Sequence, residues 1–183
     1  MIFKESALPG VYIIEKERIE DERGFFTRSF CDHEFEDHGL PRHWVQCSNA
    51  YNKVKGTLRG MHMQIKPHEE PKLVECISGA VYDVIVDMRP DSPTYLQHMG
   101  MVLSDEDRPI LYVPAGFAHG YITLTDHCEL FYRMGEYYHP ESAVGIRWND
   151  PLLDIKWPCE ISVISDKDAS YPDYDSGSHA CAS

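Results

Sequence analysis

The chain has little of what would send it to a nucleic acid, a lipid bilayer or a thiolate metal site. Basic residues are scarce, 17 Lys and Arg against 30 Asp and Glu, for a formal net charge of −13. Phosphate backbones and anionic lipid surfaces repel such a chain, which argues against nucleic acid and membrane as partners. No apolar run approaches the roughly 20 residues that span a bilayer. The opening segment MIFKESALPGVYII lacks the long apolar core of a signal peptide. The six cysteines, Cys31, Cys47, Cys76, Cys128, Cys159 and Cys181, include no CxxC pair. Neither a zinc ribbon nor a thioredoxin-like motif is therefore expected. Free thiols in a reducing cytoplasm are the plain reading.

What remains is the composition of one β-rich domain. A chain of 183 residues, 43% of them hydrophobic, suits a single core. Tyr, Val and Ile are plentiful, and 12 Gly and 12 Pro punctuate them. Strands are predicted at 10–14, 45–51, 57–64, 99–103, 110–113, 119–123 and 129–132, with an aromatic strand following the charged turn in EDERGFFTRSF. DHEFEDHGL predicts a short helix with Asp32 as N-cap and Gly39 as its stop. KLVECISGAVYDVIVDMRP predicts a hairpin about Ser78-Gly79. In its second arm Ala80, Tyr82, Val84 and Val86 share one face, and Val81, Asp83, Ile85 and Asp87 the other. Many short strands at this spacing predict a sandwich or barrel. The domain is expected to fill 1–170, with 171–183 a polar, frayed tail.

The stretch GTLRGMHMQIKPHEEPKLV gathers an arginine, two histidines, two glutamates and two lysines. A metal site is one reading. PAGFAH (114–119) has the PxGxxH form found in many cupin barrels, which hold a metal with that histidine, an earlier HxH and a glutamate. Here the earlier position reads His62-Met63-Gln64, and glutamine is a poor substitute for imidazole. His68, Glu69 and Glu70 are the nearby substitutes. Proton transfer is the second reading. A base beside a carbonyl, a fixed positive charge at the developing enolate and an acid on the opposite face are the types needed. His62, Lys72 and a tyrosine supply them, with His62 and Lys72 placed to point inward from neighbouring strands. The third reading is bland: a packed histidine, a solvated lysine and a tyrosine that serves the core.

The motifs DERGFF (21–26), LRGMHMQ (58–64), KLVECISGAVYDVIVDMRPDSPTY (72–95), LYVPAGFAHGYITL (111–124), FYRMGEYYHP (131–140), WNDPLLDIKWP (148–158) and SDKDA (165–169) together resemble the dTDP-4-dehydrorhamnose 3,5-epimerase family. The resemblance implies an all-β fold, the double-stranded β-helix or cupin jelly roll, with a few short helices. It implies an isomerase of deoxysugar biosynthesis that inverts C3 and C5 of a nucleotide-diphosphate 4-ketosugar without metal or organic cofactor. His62 would be the base, Asp168 its orienting partner, Lys72 the enolate stabiliser and Tyr132 the acid. Arg23, Asn49, Arg59 and Lys167 would hold the nucleotide diphosphate and nearby sugar atoms, and Arg28 is a further substrate-binding candidate. His119 would lie near the sugar, and Tyr138 would stack on the base. A cytoplasmic homodimer is implied, with strand exchange lending Arg23 to the partner's site.

Four residues at three places depart from the family pattern. Arg28 and Ala143 stand where glutamates are usual, and Cys47-Ser48 replace a more typical Gln-Asp. All three are expected in the nucleotide and sugar pocket rather than in the proton-transfer set, and an arginine for a carboxylate changes local charge by two units. The alternative reading is therefore a 3-only or 5-only epimerase acting on a different nucleotide-linked 4-ketosugar, such as a CDP-sugar.

Overall fold

The computed structural model describes residues 1–175. The first half of the chain forms β1 (Ile2–Glu5), β2 (Tyr12–Glu15), β3 (Arg18–Asp21), β4 (Gly24–Thr27), α1 (Asp32–Asp37), β5 (Gln46–Asn52), β6 (Thr57–Gln64), β7 (Lys72–Ser78) and β8 (Ala80–Asp87). The second half adds β9 (His98–Ser104), β10 (Ile110–Val113), β11 (Phe117–Thr123), β12 (Cys128–Met134), β13 (Ala143–Gly145), β14 (Val163–Ile164) and α2 (Asp166–Ala169). The strands assemble into two facing sheets, β1-β2-β10-β7-β12-β5 and β13-β6-β11-β8-β9, and the hairpin β3-β4 stands apart from both. This is the all-β jelly roll of the cupin type, with two short helices. Among the described residues no helix is long and apolar enough to cross a membrane.

Three layers of side chains hold the sheets. Val74, Cys76, Leu111 and Val113 of one sheet meet Val81, Ile85, Leu103 and Phe117 of the other in the central core. The outer face of the second sheet carries Met61, Val84, Val86 and Ala118, covered by Ile146, Leu153 and Ile155 of the later chain. The outer face of the first carries Ile14, Leu73 and Ile110, covered by Phe35 and Leu40. Both faces of β8 and β11 are buried, and the polar side chains among them, Asp83, Asp87, His119 and Thr123, are buried too.

Two local expectations are corrected. Ser78-Gly79 is a tight turn, but its arms do not pair. β7 bonds to β10 and β12, whereas β8 bonds to β9 and β11. Gly79, at φ +73°, carries the chain from one sheet to the other, where a Cβ would fall 2.5 Å from Thr125 Oγ1. The alternation in β8 is real, but it reports two buried faces rather than a hairpin. In α1 the N-cap is Cys31 and makes no side-chain capping bond, so Asp32 becomes the first helical residue, where its charge favours the helix dipole. Gly39, at φ +67°, follows the C-cap His38.

Residues Tyr171–Asp175, counted in the expected tail, pack on the body. Arg147 pairs with Asp173 at 2.6 Å, and Tyr174 bonds Tyr95 at 2.6 Å. Residues 176–183, including Cys181, lie outside the described residues. Cys31, Cys47, Cys76, Cys128 and Cys159 are free thiols.

Candidate active site

A one-residue irregularity between β6 and β11 sets the site. His119 pairs with His62, yet Tyr121 pairs with Arg59, so β6 spends three residues where β11 spends two. Side chains alternate faces, and an odd spacing would normally put Arg59 and His62 on opposite sides. The extra residue lets both point inward beside Tyr121 and His119, as bulges do when they re-aim a side chain. Gly60 makes this possible. At φ +117° it lets the strands approach until a Cβ would lie 2.6 Å from Gly120 Cα.

The same irregularity positions Asp168. The Gly60 N–H donates to Asp168 Oδ2 at 3.1 Å. Asp168 Oδ1 faces His62 Nε2 at 2.7 Å. Short parallel pairing of β14 with β6, Val163 to Thr57 and Ile164 to Leu58, delivers α2 to this place. Ser165 caps α2, its Oγ accepting the Asp168 N–H at 3.1 Å. Burial alone would raise the Asp168 carboxyl. The bond and charge of His62, the Gly60 N–H and Ser165 outweigh it and hold the group below the usual carboxylate range. Asp168 is thus a buried anion, while the His62 side chain is 43% exposed. An imidazole oriented by a buried carboxylate and open on its other side is the arrangement of a general base.

The opposite sheet supplies the other groups. Lys72, Tyr132 and Met134 belong to the inward rows of β7 and β12, where Tyr132 pairs with Val74 and Met134 with Lys72. An open cleft of about 340 Å³ is lined by Gln46, Ser48, Glu70, Lys72, Tyr132 and Tyr138 among others. That volume falls in the range of small-molecule sites. Lys72 Nζ sits 2.9 Å from Glu70 Oε1, both side chains largely buried. Burial pushes the Tyr132 hydroxyl well above its ordinary value, the neighbouring carboxylate of Asp83 adds to this, and Arg59 opposes it. Tyr132 therefore holds its proton at neutral pH. His119 joins the two walls: it is the register partner of His62, and its ring meets that of Tyr132 edge-on at 6.1 Å. His62 and Lys72 are hence not on neighbouring strands, as expected from their spacing, but on different sheets.

The remaining predicted residues divide into two groups. Arg59 points inward, its Nε bonded to Asn52 Oδ1 at 2.9 Å. Asn49 borders the cleft with its amide donating to Glu129 Oε1 at 2.7 Å. The Tyr138 N–H donates to Gln46 Oε1 at 2.8 Å, which holds its ring at the rim. Lys167 lies beside Tyr171, whose charge and hydrogen bond push the ammonium up from its ordinary value. Arg23 and Arg28 are not brought to the cleft of their own chain. Arg23, 84% exposed, bonds Asp21 at the tip of β3-β4, and Arg28 bonds Glu34 at 2.9 Å.

Sequence reasoning missed several neighbours. Tyr171 meets His62 edge-on at 5.9 Å. Asp83 bonds His119 Nε2 at 2.8 Å; its signal was a carboxylate on the same face as Val81 and Ile85. Glu70, a metal-ligand candidate by sequence, pairs instead with Lys72. His68 does meet other ligand types, His139 and Glu141, with ligand atoms within 4.8 Å of one another. The two imidazoles, however, stack at 3.5 Å with planes 7° apart. Their in-plane lone pairs run parallel and do not converge on one ion.

The profile of the family described as dTDP-4-dehydrorhamnose 3,5-epimerase matches residues 5–176. The enzyme of that name from Methanothermobacter thermautotrophicus is 42% identical, over 92% of either chain. The Bacillus anthracis enzyme, solved with TDP and pyrophosphate bound, superposes at a TM-score of 0.92 with 39% identity, covering 94% of this chain and 99% of that one. A dTDP-6-deoxy-D-glucose-3,5-epimerase from Legionella pneumophila, solved with dTDP-4-keto-L-rhamnose, gives 0.87 at 36% identity, covering 95% and 98%.

Proposed function

The chain belongs to the dTDP-4-dehydrorhamnose 3,5-epimerase family of isomerases, and from that membership we propose that it inverts C3 and C5 of a dTDP-linked 4-keto-6-deoxyhexose. The observation that carries this reading is His62, exposed on one side and bonded on the other to the buried Asp168 anion, with Tyr132 and Lys72 on the facing sheet.

His62 takes the proton beside the C4 ketone, and the C–H electron pair moves onto the carbonyl oxygen. Asp168 fixes the ring and stabilises the imidazolium. Lys72, paired with Glu70 at 2.9 Å, stands against the enolate oxygen. Tyr132 returns a proton from the opposite face. Its O–H bond breaks, the new C–H bond forms, and the ketone is restored with inverted configuration. The ketone serves as its own electron sink, so these steps call for no metal or organic cofactor.

Arg59 and Lys167 supply positive charge for the diphosphate, and Tyr138 supplies a ring at the rim. Arg23 and Arg28 act in a homodimer. The hairpin that carries Arg23 exposes Ile19 and Phe26, each 71%, an apolar surface that a second copy would cover. The compartment is the cytoplasm, in keeping with the exposed free thiol of Cys47.

The test is incubation with dTDP-4-keto-6-deoxyglucose in D₂O, watching the C3 and C5 protons by NMR. Loss of both signals with inversion is expected. Loss of one alone makes the protein a single-site epimerase. No loss with this sugar or its CDP-linked counterpart overturns the reading.

A further inference from the structure

Two inward cations keep different company. Lys72 is paired with the carboxylate of Glu70 at 2.9 Å. Arg59 is exposed, and among the described residues it forms no ion pair with a carboxylate. In a chain with 30 Asp and Glu a carboxylate partner would be easy to supply. The side chain that holds Arg59 is instead the amide of Asn52.

Asn52 ends β5 and is 2% exposed. Its Oδ1 accepts from Arg59 Nε at 2.9 Å and from the Tyr121 hydroxyl at 3.2 Å. Its Nδ2 donates to the Ala50 carbonyl at 3.2 Å and to the Cys128 carbonyl at 3.4 Å. Those carbonyls can only accept and a guanidinium can only donate, so a single amide orientation satisfies every group. Arg59 Nη2 also donates to the Tyr51 carbonyl at 3.3 Å. Since β6 and β5 belong to different sheets, these bonds tie the guanidinium across the two walls. They use two of the five N–H groups of a guanidinium.

An amide and a carboxylate offer a guanidinium the same kind of oxygen but treat its charge differently. The carboxylate orients and neutralises; the amide only orients. A diphosphate entering a chain of net charge −13 depends on positive charge that the protein has not already cancelled. We infer that Asn52 is a positioning residue for diphosphate recognition, fixing the Arg59 guanidinium between the sheets while leaving its charge for the substrate. The inference rests on the proposed role of Arg59 at the diphosphate. It adds that nucleotide affinity depends on a buried neutral side chain that does not itself touch the nucleotide.

The test compares Asn52→Asp, Asn52→Ala and Arg59→Ala with the native protein. Calorimetry reads dTDP affinity, kcat and KM are measured on the ketosugar, and circular dichroism gives the folded fraction of each variant. Asn52→Asp keeps an acceptor for Arg59 and Tyr121 but cancels the guanidinium charge, and dTDP affinity is expected to fall about 10- to 100-fold. Asn52→Ala frees the guanidinium and keeps its charge, and the expected fall is about 3- to 5-fold. Both losses should appear in KM, with kcat within about threefold of native. A merely structural role gives the reverse order, because Asn52→Ala forfeits all four bonds and Asn52→Asp only the two donated ones. The reverse order or an equal fall therefore overturns the inference, as does a loss confined to kcat. If Asn52→Asp does not fold, Asn52→Ala decides alone, and an unchanged KM in that variant overturns the inference. An Arg59→Ala protein that binds dTDP as tightly as the native one overturns the inference together with the role of Arg59 on which it rests.

Discussion

Two histidines sit opposite one another on adjacent strands, each bonded to an aspartate, and they differ in what surrounds the pair. His62 and Asp168 are 2.7 Å apart, His119 and Asp83 2.8 Å. The His119 side chain is sealed, at 6% exposure, whereas that of His62 is 43% open. Asp168 has both oxygens occupied, by His62 and by the Gly60 N–H. Asp83 Oδ1 has no partner among the described residues. The same bond thus serves two ends. The open pair is arranged to exchange a proton with a ligand. The closed pair spans β11 and β8 and fixes a ring between the two walls. Carboxylate–imidazole geometry alone does not identify a base; access to the free ring nitrogen does.

The strongest way to break this contrast is His62→Ala. It is expected to abolish deuterium exchange at the sugar while nucleotide binding, read by calorimetry with dTDP, stays close to native. Persistent exchange would mean that the base lies elsewhere. Asp168→Asn should be the next largest, lowering exchange by roughly 10²- to 10⁴-fold, because an amide neither stabilises the imidazolium nor fixes the same tautomer. A mild effect on exchange would reduce Asp168 to an anchor of α2 on β6 through the Gly60 N–H.

Asp83→Ala sharpens the comparison from the other side. It leaves buried His119 without its partner and should cost about 2–3 kcal/mol of stability in a denaturant titration. Exchange per folded molecule should fall far less than in Asp168→Asn; an equal fall would make the two pairs equivalent. Asp87, four residues along β8, is a third buried carboxylate and the best supplied with donors. Burial would raise it, but Arg89, Ser92 and Thr94 bring it to about 2. Because the folded value lies below the unfolded one, its contribution is complete above about pH 4 and lost as pH falls towards 2. The loss is about 2 kcal/mol. Acid melts of Asp87→Asn should lack this component, and identical acid melts would sink the assignment.

The strands were legible because their residues alternate or run apolar between Gly and Pro. Which strands pair was not. Ser78-Gly79 has the form of a hairpin turn, and nothing local distinguishes a turn within a sheet from one that changes sheets. The choice is made by β10, β11 and β12, which come later in the chain. The site divides similarly. His62, Lys72 and Tyr132 have the residue types for proton transfer, but Asp168 lies 106 positions from His62. Only the family resemblance linked them. Tyr121 was hidden for the opposite reason: in a run of buried positions a tyrosine reads as core, and only the fold brings its hydroxyl to Asn52 Oδ1.

The odd count on β6 has a consequence for how this sequence can change. Substitutions along RGMH alter one side chain each. Deletion of either residue between Arg59 and His62 would restore a regular ladder and leave both side chains on the inward face. It would, however, remove the Gly60 N–H that holds Asp168 or draw it into the sheet. Lineages descending from this chain can therefore vary the rim of the cleft by insertion and deletion, but across these four positions its length is as constrained as its chemistry.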